Sequence, residues 1–197
     1  MAEQLLFFET SQAPILRCNL FLAIFPDHRT AQKIAEFGNA FRQSHSLRGA
    51  VLPADRLHVS LCHLGNVAAV PNALPIIVGQ KFKTIAAQVH PFAIGFTRAL
   101  SFRGRLGNRP LVLADYAQEN DDVRRLHGLL HAKLTNRVPT TSSSQKFSPH
   151  MTLLYDAQSL APEPVEPLHW AVAEIVLVCS EVGKTKYTQV GSWKLGV

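Results

Sequence analysis

Acidic residues are almost missing from the middle of this sequence. Between positions 37 and 114, nine Lys and Arg stand against a single acid, Asp55, whereas residues 1–36 hold three basic and four acidic side chains and 115–197 hold eight and nine. The formal charge of +6 over 197 residues is therefore the surplus of one segment. Cysteine is scarce as well. Cys18, Cys62 and Cys179 are too few, and too far apart along the chain, for a disulfide framework or a Cys-based zinc site, so a reduced protein is expected. No apolar run approaches the ~20 residues that span a bilayer, and no membrane partner is expected. The opening MAEQLLFFETSQAP carries two acids and no basic cluster, unlike a secretory leader, which points to the cytoplasm. What is present is a chain 47% hydrophobic, with 12 Pro and 11 Gly. That is enough apolar material for a packed core and excludes disordered and low-complexity classes. The length suits one large domain or two small lobes.

Within the basic segment, Arg98, Arg103, Arg105 and Arg109 crowd into and before SFRGRLGNRP. Arg presents a planar fork that fits phosphate, so an anionic ligand is one reading, and a solubilising surface loop is the other. The charge by itself does not single out nucleic acid.

The pattern of apolar residues predicts a mixed fold. RCNLFLAIF, from Arg17, reads as a buried strand ended by Pro26-Asp27, with Asp27 as helix N-cap and Ala31, Ile34, Ala35, Phe37 and Phe41 at helical spacing. LHVSLCHLG reads as a strand ended by Gly65, Pro71 to about Val89 as a helix interrupted by Pro75 and Gly79, and PFAIGFTRALSF as a strand. Pro110 opens LVLAD, Asn120 or Asp121 opens a helix with Val123, Leu126, Leu129, Leu130 and Leu134 on one face, and HMTLLY is a strand. PEPVEP (162–167) reads as a connector, and WAVAEIVLVCSEV with YTQVGSWKL as a closing hairpin.

Two stretches overlay at a constant offset of 92. RCNLFLAI falls on RPLVLADY, His58 on His150 and Ser60 on Thr152, so HVSL and HMTL become equivalent. Each unit, about 17–65 and 109–155, reads strand–helix–strand. The expectation is an α+β protein, residues 1–197 forming one domain of two interleaved, pseudo-symmetric lobes. Each lobe is an antiparallel-rich sheet with helices on its outer face, and a cleft lies between them.

The tripeptide H-x-[ST] is weak evidence, since 9 His and 22 Ser plus Thr yield about one by chance. Three occur. His28/Thr30 sits at a helix start and reads as surface. His58/Ser60 and His150/Thr152 lie in apolar strands at equivalent repeat positions. Either motif alone reads as a structural histidine; the matched pair reads as a site. Side chains alternate along a strand, so His58 shares a face with Ser60, and His150 with Thr152. Two imidazoles and two hydroxyls on one cleft suit phosphoester chemistry without a metal: one imidazole takes a proton, the other gives one, and the hydroxyls bind the non-bridging oxygens. Local zinc ligation by His58, Cys62 and His63 is disfavoured, because period two sends His63 to the opposite face and puts Cys62 ~13 Å along the strand. Cys62 or Cys179 as a nucleophile has no positive signal.

LFLAIFPDHRTAQKIAEF, LPADRLHVSLCHLG, KFSPHMTLLYD and SEVGKTKYTQVGSWKL together resemble the two-histidine (2H) phosphoesterases, in particular the 2'-5' RNA ligase / RNA 2',3'-cyclic phosphodiesterase family. The likeness runs from about Leu20 to Leu195, with Asp27 where a second proline is usual and Ser60 where Thr is commoner. It implies the two-lobed α+β fold and hydrolysis of an RNA or nucleoside 2',3'-cyclic phosphate to the 2'-phosphate, with no cofactor or metal. It also implies a reversible 2'-5' ligase activity. By this resemblance His58 and His150 are catalytic, His150 assigned as base and His58 as acid in a division the sequence leaves open, and Ser60 and Thr152 bind phosphate. Lys146, Arg103, Arg105 and Arg109 are possible RNA contacts and Phe147 and Tyr187 possible stacking rings, each equally readable as loop or core. The partner implied is an RNA or nucleotide ending in a cyclic phosphate, and a monomer is expected. Other substrates open to this site are an ADP-ribose cyclic phosphate, 2'-5' oligoadenylate and RNA 3' ends. A non-catalytic RNA-binding module is the reading from a different class.

Overall fold

A computed structural model describes residues 18–67, 74–115, 120–135, 147–181, 183 and 186–197, with the backbone alone for 74–78 and 135. In chain order the elements are β1 (Cys18–Ile24), α1 (His28–Ser44), a 3-10 turn (Ala54–Arg56), β2 (Val59–Val67), α2 (Leu74–Ala86), β3 (Phe92–Ser101), β4 (Arg109–Ala114), α3 (Asp121–Thr135), β5 (His150–Asp156), β6 (Glu163–Val172), β7 (Glu174–Glu181) and β8 (Tyr187–Lys194). The expected α+β class holds.

All eight strands form one antiparallel sheet in the order β6-β3-β4-β5-β2-β1-β7-β8. Its middle is the β5–β2 pair. Outward from it, β4 and β1 occupy matching places, followed by β3 and β7 and then by β6 and β8. The strand–helix–strand units that repeat at an offset of 92 therefore sit on either side of the centre. The sheet is far from flat. β6 and β7 are six strand intervals apart, ~29 Å at normal spacing, yet Ala173 alone joins them, and two residues reach only ~7 Å. The two halves must fold towards each other.

Strand alternation separates two apolar layers. Leu20, Leu22, Ile24, Val59, Leu61, Met151 and Leu153 turn to one face and pack with Ile34 and Phe41 of α1, Phe82 and Ile85 of α2, and Val123, Leu126 and Leu130 of α3. All three helices thus cover the same face, which holds the main core. Each fully buried aliphatic side chain here contributes about 1.5–3 kcal/mol relative to exposure. Gly38 has a packing reason for interrupting α1: a Cβ there would meet Val51 Cγ1 at 3.0 Å. Asp27 caps α1 as expected, accepting from the Thr30 amide at 3.0 Å and from Thr30 Oγ1 at 2.6 Å. This accounts for His28-Arg29-Thr30 without a catalytic role.

Three expectations are corrected. WAVAEIVLVCSEV is not one strand: Trp170-Ala171-Val172 ends β6, and Glu174–Glu181 is β7. PEPVEP is not a connector but the start of β6, which is tolerable because β6 is an edge strand and Pro removes no ladder bond on its open side. Cys18 and Cys179 are bridged, although 161 residues separate them. Sequence distance hid that β1 and β7 are neighbours, with Cys18 paired to Glu181 and Cys179 to Leu20.

The segment leading into β2 is stitched to β5. Leu52 N–H donates to the Leu153 carbonyl at 2.7 Å, and the buried Asp156 carboxylate accepts from the amides of Arg48 and Gly49, both at 2.6 Å, and of Gln158 at 2.8 Å. These bonds hold the Asp156 carboxyl below the usual range, the amides of Gln158, Gly49 and Arg48 outweighing desolvation. Gly49 passes so close to the Tyr155 carbonyl that no side chain fits there. The 3-10 turn before His58 is thereby fixed relative to the strand that carries His150.

Candidate active site

The central β2–β5 pair joins at Val59 and Met151, themselves equivalent at the offset of 92. Both side chains are fully buried in the helix-side core. Their sequence neighbours must then point to the other face, and the antiparallel register sets His58 beside Thr152 and Ser60 beside His150. Four residues from two distant motifs meet on one surface around a local two-fold relation.

The imidazoles are held alike. His58 Nδ1 lies 2.7 Å from the Arg56 carbonyl, and His150 Nδ1 2.8 Å from the Ser148 carbonyl. A carbonyl only accepts, so each Nδ1 carries the proton and donates it, leaving Nε2 as the reactive nitrogen. Arg56 and Ser148 are again 92 residues apart. His58 Nε2 lies 3.0 Å from Ser60 Oγ, and with Nδ1 protonated the hydroxyl donates to it.

The surroundings break the symmetry. His58 is half-buried among Phe21, Phe25 and Tyr187, whose ring centres lie 5.2, 5.6 and 5.4 Å away. Phe21, Ala23, Val176 and Val178 form a small apolar layer on this face, with Phe25 and Tyr187 packed against it. Burial pushes the His58 imidazolium down. The Arg56 guanidinium and His150 act in the same direction, while the bond to the Arg56 carbonyl opposes them. Among the described residues His150 meets one ring, Phe102, at 4.8 Å. Phe102 stands at the root of the arginine loop, beyond the end of β3 and two strands from β5, so this contact is further evidence that the sheet bends.

A matched pair of β-bulges corrects one reading of the strand. β2 slips against β1 so that Ser60 pairs with Ala23 and Cys62 with Leu22, leaving Leu61 as the extra residue. β5 slips against β4 so that Thr152 pairs with Val112 and Leu154 with Leu111, leaving Leu153 extra. Leu61 and Leu153 are again equivalent. Each bulge inverts the alternation beyond it. His63 therefore returns to the face of His58, paired beside Phe21, instead of lying opposite; Tyr155 is its counterpart on β5. His63 and Tyr155 are both exposed. Among the described residues no three His, Cys, Asp or Glu side chains gather as a metal site. Burial raises the Cys62 thiol to about 11, so it stays protonated and is no nucleophile, and Cys179 is tied up in the bridge.

The remaining candidates scatter. Tyr187 lies at the site, edge-on to His58. Phe147 is packed against the helix-side core with its ring flat on His127 at 4.0 Å, away from the histidine face. Arg103 and Arg105 are exposed in the β3–β4 loop, and Arg109 Nη1 donates to the Ala157 carbonyl at 3.0 Å. Lys146 lies outside the described residues. Four neighbours of the histidines went unnoticed in the sequence: Phe21 and Phe25, which read there only as part of a buried strand, Phe102 and Arg56. Arg56 had a signal: it precedes His58 by two residues in DRLHVS.

Comparison with known proteins bears on the family and the fold. The family model of the 2'-5' RNA ligase superfamily matches residues 26–184. An Escherichia coli (strain K12) protein, RNA 2',3'-cyclic phosphodiesterase, is 30% identical over 152 residues, covering 75% of this chain and 80% of that one. Among solved structures, E. coli LigT in apo form aligns with a TM-score of 0.63 at 24% identity over 91% of this chain and 98% of that one. A Thermus thermophilus protein aligns with a TM-score of 0.65 at 22% identity over 90% and 98%. No helix among the described residues is long and apolar enough to cross a membrane. With a family model spanning both histidine motifs, this chain belongs to the 2'-5' RNA ligase superfamily.

Proposed function

We propose that this protein is a phosphodiesterase that opens the 2',3'-cyclic phosphate of an RNA end or a nucleotide to a 2'-phosphate, using His58 and His150 as the acid–base pair. The observation that supports this best is the β2–β5 join. It sets two imidazoles, each with Nδ1 engaged and Nε2 as the reactive nitrogen, beside two hydroxyls on one face. The E. coli relative is named for this activity, and LigT has been crystallised with phosphate and with 3'-AMP.

In the reaction, a water oxygen forms a bond to phosphorus as one imidazole Nε2 takes the water's proton. The bond from phosphorus to the 3'-oxygen breaks as the other imidazole donates its proton to that oxygen. The products are a 2'-phosphomonoester and a 3'-hydroxyl, and the two histidines have exchanged protonation states. Ser60 and Thr152 donate to the non-bridging oxygens, with Ser60 releasing His58 Nε2 as the phosphate arrives. With an RNA 5'-hydroxyl in place of water, the same displacement forms a 2'-5' bond, and its reversal breaks that bond to regenerate the cyclic phosphate. In the free protein, burial and Arg56 favour neutral His58, the form that accepts a proton, and a bound anion works against this by stabilising its imidazolium. The division of labour thus depends on the bound state, and the two histidines are assigned as a pair.

The site belongs to one domain of two pseudo-symmetric lobes facing a shared cleft, with Tyr187 as a base-stacking surface and Arg103 and Arg105 along the approach of the RNA. The test is incubation with nucleoside 2',3'-cyclic phosphates in EDTA, reading the product by 31P NMR. Sole formation of the 2'-phosphate is expected. Formation of the 3'-phosphate, or loss of turnover with chelator, would overturn the proposal.

A further inference from the structure

We propose that Arg56 is a phosphate-binding residue of this site, gripping the non-bridging oxygens from the His58 side and fixing which way round the substrate lies. This rests on the cyclic-phosphate reading above.

Arg56 is placed by the 3-10 turn that delivers the chain to β2. Its Cζ stands 4.7 Å from the centre of the Tyr187 ring, and the His58 ring lies against that same tyrosine. Its carbonyl holds His58 Nδ1, so the cation and the imidazole keep a fixed mutual position.

The guanidinium is under-used. Among the described residues the buried Nε has no hydrogen-bond partner, and Nη2 reaches Tyr187 Oη at a long 3.5 Å. Among the described residues no carboxylate pairs with it. Arg124 reaches Asp115 and Asp121, and Arg109 a backbone carbonyl. Arg42 on α1 shares a buried Nε unpartnered among these residues, and Arg56 differs from it in standing beside His58. A purely structural arginine would be expected to find such an acceptor, because an unpaired buried donor is costly. An oxyanion entering beside His58 meets a planar fork whose geometry matches it and relieves that cost.

The two repeats also differ at this position. The residue equivalent to Arg56 in the other repeat is Ser148, which carries no charge. A symmetric pair of His/hydroxyl motifs would accept a cyclic phosphate in either orientation. One cation beside one histidine removes the degeneracy, favouring the pose whose charged oxygens face Arg56. The sequence hid this role, since Arg56 lies outside the arginine loop and the H-x-[ST] signature.

The experiment compares wild type with R56Q and R56M on a nucleoside 2',3'-cyclic phosphate, using inorganic phosphate as competing probe. Met keeps the apolar stem against Tyr187 if Gln proves unstable. Thermal melts establish folding. Losing hydrogen bonds to a charged group predicts a rise of about ten- to a hundredfold in the phosphate inhibition constant and in KM, with a smaller fall in kcat. R56K should recover part of the loss, through charge without the fork. A folded R56Q or R56M whose phosphate inhibition constant and KM stay within about twofold of wild type overturns the assignment. If wild type itself does not open cyclic phosphates, the underlying reading fails instead, so the two failures are separable.

Discussion

Removing the two imidazoles singly and together gives the strongest test of the site. In H150A the lost contacts are the bond to the Ser148 carbonyl and the Phe102 ring, both at the surface of the histidine face, so the fold should be almost unaffected. In H58A a ring packed among Phe21, Phe25 and Tyr187 disappears, and a stability loss of about 1 kcal/mol is expected. On activity each imidazole is expected to contribute ~10²–10⁴-fold, or about 2.7–5.4 kcal/mol at 1.36 kcal/mol per decade. Because one proton is taken as the other is given in the same displacement, the double variant should lose little more than the worse single one. The assay is single-turnover opening of a nucleoside 2',3'-cyclic phosphate in EDTA, with circular dichroism to establish folding. Losses that simply multiply would refute a paired mechanism. A single variant within about tenfold of wild type would remove that histidine from the chemistry.

Three further outcomes follow from particular contacts. The profile of kcat/KM against pH reports groups of the free enzyme, so the limb belonging to His58 should fall below 6.5 and move upward in R56Q; both limbs lying above 6.5 would contradict the burial argument. Asp156→Ala leaves the amides of Arg48, Gly49 and Gln158 without their carboxylate, and should lower the denaturation free energy by about 1.5–3 kcal/mol in urea titration. Because the Asp156 carboxyl is held below its ordinary value of 3.8, that contribution is present above this pH and disappears on further acidification. His45 at the C-terminus of α1 bonds the Phe41 carbonyl and Glu163 at 2.9 and 2.8 Å, with the carbonyl bond as the larger cause raising its imidazolium above the ordinary 6.5. Its contribution is complete below 6.5 and is lost as pH rises through the folded value, so the melting temperature should decline over that window in wild type and not in H45Q.

Much of this was legible because the information is local. Asp27 and Thr30 announce the start of α1, and the alternation around His58 and His150 puts each hydroxyl on its histidine's face. The repeat at an offset of 92 extends further than the motifs, to the carbonyls that hold the rings, to Val59 and Met151 at the join and to the bulged leucines. What could not be read depended on neighbours remote in sequence. Nothing in HVSLCH signals the slip at Leu61 that returns His63 to the site face, because the slip is defined against β1. PEPVEP has the composition of a linker, yet it opens β6 at an edge of the sheet, where proline is tolerated. Cys18 and Cys179 became partners only when β7 was placed beside β1, and Phe102 met His150 only through the bending of the sheet. Arg56 needed Tyr187, more than a hundred residues later, to become visible.

A two-fold arrangement of equivalent motifs leaves undecided which imidazole carries the proton, whereas the proposed reaction uses one protonated and one neutral imidazole in each displacement. The fold supplies equivalence through the join at Val59 and Met151. It supplies difference through what packs around each ring. On one side are Arg56, Tyr187 and two phenylalanines, which desolvate His58 and repel its proton; on the other are Ser148 and Phe102, which bring no charge. On the proposed mechanism, divergence of the two repeats outside the H-x-[ST] signatures is what gives the two histidines different roles. A substitution that made the surroundings alike should cost activity even with all four signature side chains in place.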